Sequence, residues 1–147
     1  MKKIIISTLF SIVYVFCTAQ SESDIFGEWF NEEKDAVVTI YKDGNSVSGK
    51  TTWLKEPLDS KGNVKLDLKN PDEKLRSRKR MGLKIMHSFQ YNDQENIWED
   101  GRIYDPKKGK LYGGTATLVN ENELKLKGYI ISMPFLGRTA TWTRKTN

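Results

Sequence analysis

The chain has 147 residues, with 24 lysines and arginines, 19 aspartates and glutamates, one histidine and one cysteine, and a formal net charge of +5. This length suits one domain that buries roughly two thirds of its unfolded surface. The single cysteine excludes an internal disulfide and a thiolate metal cluster, and the single histidine excludes a histidine metal cluster.

The first residues predict a targeting segment. Lys2 and Lys3 precede an apolar run at residues 4–16, which has the length of a signal-peptide hydrophobic region and is too short to span a bilayer. Small residues just before Gln20 place the cleavage site there. We therefore predict that residues 1–19 are a signal peptide and that the protein is secreted.

A lipoprotein is the alternative, with Cys17 as the lipidated residue, but the bulky Phe16 before it disfavours that reading. Cleavage before Gln20 leaves one predicted domain, residues 20–147. This domain has no cysteine and a net charge of about +3, because the two lysines of the signal are removed. In an exported protein such a charge favours anionic surfaces, lipids or glycans over nucleic acid.

Apolar and polar residues alternate with a period of two, and turn signals recur along the chain, which predicts an all-β fold. Glycines within the strands indicate the bulges and bends that small barrels need at their corners. We predict an eight-stranded antiparallel barrel. Its predicted strands are residues 26–31, 35–41, 47–54, 83–91, 97–104, 110–119, 124–131 and 137–145.

The connection at residues 55–81 is the exception, because it lacks strand alternation. A connection of this length is usually functional or contains structure of its own. Asn70 is a candidate helix cap, Pro71 suits the first helical position, and Glu73 completes a capping box. The pattern predicts a short helix over residues 71–78, lying across one end of the barrel.

Four residues predict how the barrel closes. Gly27 and Trp29 lie in the first predicted strand, and Trp142 and Arg144 lie in the last. We expect the Trp29 ring to fill the barrel floor, with a guanidinium stacked on its face. Such a cation–π contact contributes about 0.5–2 kcal/mol.

A basic cluster follows the predicted helix start. Its members are Lys74, Arg76, Arg78, Lys79, Arg80 and Lys84. Arginine presents a planar fork suited to carboxylates, phosphates or acidic glycans. The same cluster also fits a solvated face with ion pairs to Asp67, Asp72 or Glu73, and both interpretations stay open. No stacking platform accompanies the charge, so nucleic acid is not predicted as a partner.

No metal site and no catalytic site is predicted. Asp67, Asn70 and Asp72 are spaced to offer oxygens to a cation, but the glycine turn and distal glutamate of a calcium loop are missing. His87 is expected on the inner face of the strand at residues 83–91. Asp100 or Asp105 is available to orient it, but no serine stands in a recognisable nucleophile context.

Two further patterns have alternative interpretations. An eight-stranded barrel either fills with side chains or holds one small ligand, and aromatic residues are abundant in both cases. The apolar segment 133–136 is predicted to be the tip of the last hairpin. It is either an exposed docking patch or a plug over the barrel end. Asp105, Pro106 and Gly109, in contrast, have the spacing of a structural turn.

Short motifs recur in a fixed order along the chain. They are Gly27-x-Trp29, Gly49-Lys50 with Trp53, Asn70-Pro71-Asp72, Arg76-x-Arg78, Gly82-Leu83, Trp98 with Gly101-x-Ile103-Tyr104-Asp105-Pro106, Gly109-Lys110-x-Tyr112, Gly128-Tyr129 and Leu136-Gly137-Arg138 with Trp142-x-Arg144. The pattern resembles the exported bacterial proteins of domain-of-unknown-function family 2147. The resemblance implies a periplasmic location and a lipocalin-like (calycin-type) barrel, and it implies no activity.

We therefore predict a non-enzymatic envelope protein that binds a small amphipathic or anionic ligand without a cofactor. The ligand is expected to enter near residues 70–80, with Arg76 or Arg78 at its anionic end. The alternatives are an interaction protein with a filled barrel and external contacts, and an enzyme acting on an envelope polymer. The predicted ligand-binding residues are Trp53, Asn70, Asp72, Arg76, Arg78, His87, Trp98 and Tyr104.

Overall fold

Eight strands and two short 3-10 helices make up the computed structural model, which describes residues 19–146. The predicted signal peptide lies outside these residues except for Ala19. The 3-10 helices are Glu22–Ile25 and Glu73–Leu75. The strands are β1 (Gly27–Phe30), β2 (Ala36–Asp43), β3 (Ser46–Leu54), β4 (Lys84–Asn92), β5 (Ile97–Asp105), β6 (Lys110–Asn120), β7 (Glu123–Ile130) and β8 (Met133–Arg144).

Each strand pairs antiparallel with the next along the chain, and β8 pairs back with β1, so the sheet closes into a barrel. This confirms the predicted eight-stranded antiparallel fold. The strand bounds agree with the prediction to within two residues, except that β8 begins at Met133 instead of residue 137. None of the helices within residues 19–146 is long and apolar enough to cross a membrane.

Because successive strands run in opposite directions, alternate connections lie at the same end of the barrel. We call one end the mouth, which holds the connections at residues 31–35, 55–83, 106–109 and 131–132. We call the other end the base, which holds the short turns at residues 44–45, 93–96 and 121–122 and the first 3-10 helix.

Large side chains fill the base. Trp29, Phe89 and Trp98 have no exposed surface, and the Trp98 ring packs 4.9 Å from the Tyr91 ring, centroid to centroid. Burying one side chain of this size stabilises the fold by about 1.5–3 kcal/mol. The other members of this core are Ile25, Val38, Ile40, Val47, Met86, Ala116, Leu124, Leu126 and Trp142.

The long connection contains the predicted short helix, but the predicted bounds of residues 71–78 are wrong. The structure has only a three-residue 3-10 helix there, capped by the Asp72 carboxylate and not by Asn70. The helix stops because the following residues turn back and pair with residues 65–67. The Asp67 N–H donates to the Arg78 carbonyl at 2.8 Å, and the Arg80 N–H donates to the Lys65 carbonyl at 2.9 Å.

The inner face of β4 also differs from the prediction. Met86 and Phe89 are both fully buried although they are three residues apart, because Ser88 between them adopts a left-handed conformation with φ +58. A left-handed residue interrupts the period of two. The expected position of His87 on an unbroken inner face is therefore wrong.

Candidate functional site

A cavity of about 870 Å³ opens at the mouth of the barrel. Its wall is built from residues on seven strands, β2 to β8. Apolar and aromatic residues dominate this wall: Val38, Ile85, Ile103, Tyr104, Tyr112, Leu126, Ala140 and Trp142. A volume of this size suits one small molecule, and an apolar wall suits its hydrocarbon portion.

Charged residues surround the opening of the cavity. They are Glu33, Asp35, Lys55, Glu56, Lys65, Arg80, Asp105, Lys107, Lys108 and Arg138. An apolar interior below a charged rim is the arrangement that matches a molecule with an apolar body and a polar end.

Most of the rim charges are paired within the protein. Lys107 Nζ lies 2.7 Å from Asp35 Oδ2, Lys65 Nζ lies 3.4 Å from Glu56 Oε2, and Arg138 contacts Glu32. Burial raises the pKa of the Asp35 carboxyl, but hydrogen bonds from Lys107 and Asn31 outweigh that effect and hold the pKa below its usual range. Asp35 therefore stays ionised and keeps Lys107 occupied.

Arg80 is bound by backbone carbonyls, whereas the paired rim cations described above are bound by carboxylates. Its Nε donates to the Leu66 carbonyl at 3.1 Å, and its Nη2 donates to the Pro106 carbonyl at 3.2 Å. These two bonds hold the guanidinium in place, but no carboxylate among residues 19–146 forms an ion pair with it. A positioned cation without a counter-charge is the feature of this rim that best suits an anionic group.

A buried polar network holds the long connection onto the barrel. Asp67 has no exposed surface, and its carboxylate accepts hydrogen bonds from Tyr104 Oη at 2.6 Å, Asn70 Nδ2 at 2.8 Å and Arg78 Nη2 at 2.9 Å. Asn70 Nδ2 also donates to Tyr104 Oη at 3.0 Å. Because all members are hydrogen-bonded, the cost of burying the carboxylate is largely offset.

The protonation states in this network follow from its geometry. Burial raises the pKa of Asp67, but the bonds from Tyr104, Asn70 and Arg78 outweigh it and hold the pKa below its usual range. Burial and the bond to Asp67 raise the pKa of Tyr104 to about 12. Asp67 is therefore the acceptor and Tyr104 the donor, which is a structural arrangement and not a proton-transfer pair.

Arg76 and Arg78 do not line the cavity. Arg76 Nε donates to the Asn70 carbonyl at 2.8 Å, and its Nη1 lies 3.2 Å from Glu73 Oε1. Arg78 is bound to Asp67. Both arginines therefore contact the long connection itself. The structure does not place them at the entrance of the cavity, where they were predicted to hold the ligand.

Of the eight predicted ligand-binding residues, only Tyr104 lines the cavity. Asn70 lies in the buried network, and Asp72 caps the second 3-10 helix. Trp53 is 41% exposed on the outside of β3, with its ring edge-on to Phe30. Trp98 is in the filled base, and its indole N–H is the one buried side-chain polar atom without a partner among residues 19–146.

His87 lies on β4, half-buried and outside the cavity lining. Burial lowers its pKa, and the charges of Lys84 and Arg78 lower it further. The described residues contain no group of three or more histidine, cysteine, aspartate or glutamate side chains placed to hold a metal ion.

Three of the four closure residues, Gly27, Trp29 and Arg144, meet at the base, whereas Trp142 lines the cavity. Trp29 pairs with Arg144, and the Arg144 guanidinium lies 4.1 Å from the centroid of the Trp29 ring. The same guanidinium donates to the carbonyls of Phe26 at 2.8 Å and Asp24 at 2.7 Å. Gly27 has φ +122, and a Cβ there would lie 3.0 Å from Arg144 Nη1. Only glycine combines this conformation with this space.

The turn at residues 105–109 is structural. Its Gly109 has φ +67, and a Cβ at this position would overlap the Lys69 carbonyl. The turn therefore lies directly against the long connection, next to the network of Asp67 and Tyr104. In this way the Asn70-Pro71-Asp72 and Tyr104-Asp105-Pro106 motifs meet at the mouth and fix the connection there.

Sequence reasoning placed Arg80 in the basic cluster but preferred Arg76 and Arg78 as the residues at the anionic end of the ligand, and it missed Ile103 as a wall residue. A signal for the wall was present, because Tyr112 and Gly114 share one face of β6 while the outward Leu111 and Gly113 share the other. No comparable signal separated Arg80 from its neighbours, since it depends on how residues 65–80 turn back on themselves.

The model of a protein family described as "Uncharacterized protein conserved in bacteria (DUF2147)" matches residues 27–144. A solved structure, protein HP1028 from the human pathogen Helicobacter pylori, is described as belonging to the lipocalin family. It is similar to this chain with a TM-score of 0.64 and 20% sequence identity, over 76% of this chain and 73% of that one. At this identity the likeness concerns the fold. No curated protein matches the chain.

Proposed function

Because the chain belongs to the DUF2147 family of uncharacterized bacterial proteins and closes into a lipocalin-like barrel, we propose that it is a non-enzymatic binding protein. Its ligand is a small amphipathic molecule with an anionic end. The observation that supports this proposal is the cavity of about 870 Å³, which joins an apolar wall to a charged rim. The apolar body of the ligand occupies the cavity, and its anionic end lies at Arg80.

Arg80 replaces Arg76 and Arg78 in this proposal. It lines the cavity, its side chain is held by two carbonyl oxygens, and it forms no ion pair with a carboxylate of the described residues. Lys55 lies on the same rim and adds a second cation there. An anionic group at this position gains charge-assisted hydrogen bonds without displacing an existing salt bridge.

Gly128 offers a direct test of whether the cavity is the binding site. A Cβ at Gly128 meets only ordinary contacts, with Ile103 Cδ1 at 3.8 Å and Tyr112 Cβ at 3.9 Å. Gly128→Phe therefore fills the cavity, and Gly128→Ala is the matched control that leaves it open. The probe is anilinonaphthalene sulfonate, which combines apolar rings with an anion and fluoresces when it enters an apolar site.

We expect the wild-type protein and Gly128→Ala to bind the probe with similar affinity and Gly128→Phe to lose binding. Arg80→Gln weakens binding about 3–10-fold, and Arg80→Lys restores part of the loss, because a charge at this position favours the sulfonate. Circular dichroism establishes that each variant is folded. Equal binding by wild type and Gly128→Phe would contradict the cavity as the site, and equal binding by Arg80→Gln would remove Arg80 from it.

Native mass spectrometry of the gently purified protein identifies the natural ligand class. A co-purifying mass that is absent from Gly128→Phe supports the proposal. A bare protein that also fails to bind long-chain carboxylates and sulfonates would contradict it and favour the alternative of external partners.

Export to the bacterial envelope is part of the same proposal. Its support is the basic and apolar pattern of residues 1–19, which has the form of a signal peptide. The intact mass of the chain recovered from a periplasmic extract is expected to correspond to a first residue of Gln20. A full-length mass, or a mass with lipid on Cys17, would contradict cleavage at this position.

A further inference from the structure

The tip of the β7–β8 hairpin, which comprises residues 130–136, has an unusual shape. Ile130 pairs with Met133, but the next pair toward the base is Tyr129 with Gly137, so β8 contains three extra residues. This bulge carries Phe135 out of the barrel wall, where 80% of its side chain is exposed. Bulges commonly re-aim a side chain, and here the side chain is aimed at solvent.

Phe135 is not alone at this tip. The large apolar side chains Ile130, Ile131, Met133 and Leu136 are also exposed. On the neighbouring strand β6, Leu111 is exposed, and the register of Tyr129 with Gly113 brings it beside this hairpin. Single exposed apolar residues are normal, but a contiguous group of them marks an interaction surface.

After Glu123, all the charged residues of the β7–β8 hairpin are basic. From Leu124 to Thr146 the chain has five basic residues and no acidic residue. Lys125 and Lys127 are exposed on β7 and form no ion pair with any of residues 19–146. At the adjacent β5–β6 turn, Lys110 adds further positive charge to the same end of the barrel, whereas Lys108 Nζ lies 3.8 Å from Asp105 Oδ2.

The tip is continuous with the cavity. Ile130 and Leu136 belong to the lining of the opening, whereas Ile131, Met133 and Phe135 do not. A surface that the tip contacts would therefore lie beside the entrance to the cavity. Ile131, Met133 and Phe135 are consequently the residues that can be changed without altering the cavity wall.

We propose that the tip docks on an anionic lipid surface. Protruding apolar side chains enter the boundary between headgroups and acyl chains, and the surrounding lysines are attracted to anionic headgroups. The convex bulge and the positive charge of the hairpin favour this surface over a second copy of the chain, because a contact between two hairpins would bring like charges together. Docking does not require an occupied cavity, so it stands or fails independently of the proposed ligand.

Sedimentation with vesicles tests this proposal. The probes are vesicles of phosphatidylcholine alone and vesicles in which a third of the lipid is phosphatidylglycerol. The protein is the chain as recovered from an expression host, with its first residue established by mass spectrometry. We expect it to sediment with the anionic vesicles, more weakly as salt is added, and far less with the neutral ones.

The decisive variant is Phe135→Ser, with Val119→Ser as its matched control. Val119 is 49% exposed on β6 but lies near the base. We expect Phe135→Ser to weaken vesicle binding about tenfold, since a large apolar group no longer leaves water, and Val119→Ser to have no effect. Lys127→Gln is expected to reduce the salt dependence of binding. Both serine variants should keep the wild-type affinity for anilinonaphthalene sulfonate.

Two outcomes would overturn the docking proposal. The first is wild-type protein that does not sediment with the anionic vesicles, or Phe135→Ser that sediments as well as Val119→Ser. The second is concentration-dependent dimerisation that Phe135→Ser abolishes, which would assign the tip to a second copy of the chain. Loss of vesicle binding with probe binding intact separates this proposal from that of the cavity.

Discussion

The base and the mouth of this barrel are made by the same strands, but one is filled and the other is hollow. In β5, Trp98 lies fully buried at the base, while Ile103 lines the cavity near the mouth. In β7, Gly128 lines the cavity and adds no side-chain volume there. The barrel fold therefore permits a cavity, and the sizes of individual inward residues decide where the cavity begins.

The two ends also close in different ways. Short turns close the base, and the Arg144 guanidinium lies on the Trp29 ring and donates to the backbone carbonyls of Asp24 and Phe26. At the mouth a long connection is fixed at one edge by a buried carboxylate, Asp67, and the opening is left free. The base therefore depends on packing, and the mouth depends on hydrogen bonds.

The largest expected effect is a loss of stability at the base. Trp29→Ala removes a fully buried ring, its contact with Arg144 and its indole bond to the Ile25 carbonyl at 2.8 Å. We expect a loss of about 3–5 kcal/mol in the free energy of unfolding, measured by urea denaturation. Tyr112→Ala, in the cavity wall, should cost clearly less because it enlarges a space that already exists. Equal losses would refute the distinction between a filled and a hollow half.

Two glycines give a sharper comparison with the same substitution. A Cβ at Gly101 would overlap the Phe89 ring, so Gly101→Ala should destabilise the protein by about 1–3 kcal/mol. At Gly128 the same Cβ meets only ordinary contacts, so Gly128→Ala should be neutral or stabilising by up to about 1 kcal/mol. Thermal unfolding of both variants measures the difference. A similar effect at the two positions would mean that both halves are packed to the same density.

Arg78→Ala should loosen the mouth and leave the base unchanged. It removes one of three donors to the buried Asp67 carboxylate, which costs about 1–3 kcal/mol for an ionised group. The long connection should then be cut faster by a protease, while strands β1 and β2 keep their hydrogen-exchange protection. Arg102→Ala on β5, whose side chain bonds only nearby carbonyls, is the control. Equal protection of the connection from the protease in both variants would argue against the role of Arg78 in fixing the connection to the barrel.

The smallest expected effect is the pH dependence of the mouth. Because the pKa of Asp67 is lower in the folded protein than in the unfolded chain, its stabilising contribution is complete above about pH 4. This contribution is lost as the pH falls through the folded pKa. Asp67→Asn should therefore flatten the acid side of a plot of unfolding free energy against pH. Asp93→Asn, in an exposed turn, is the matched control for the loss of one carboxylate.

The fold was predictable because its signals are local. Alternation, turns and the Gly27-x-Trp29 motif each need only a few neighbouring residues, and they predicted eight strands and the pairing of the first with the last. The left-handed Ser88 escaped prediction because a serine carries no mark of that conformation. It changed which residues of β4 face inward, and His87 was misplaced as a result.

The site was less predictable because it depends on long-range contacts. Asn70, Arg76 and Arg78 were predicted to bind the ligand. Their partners in the structure are the connection itself and the end of β5. A helical reading of residues 71–78 gave no reason to prefer Arg80, whose carbonyl partners lie 14 and 26 residues away. The cavity volume depends on the packing of all eight strands, and no single motif encodes it.

The pairing of Trp29 with Arg144 also limits when the barrel can close during synthesis of the chain. These partners belong to the first and last strands, and β1 meets β8 at only two residue pairs. No nascent chain can close its barrel until its final residues have been made and are free to move. Until then β1 lacks one of its two neighbouring strands. The closed cavity therefore arises only once β8 is complete, and the loss of the last residues of β8 should prevent its formation.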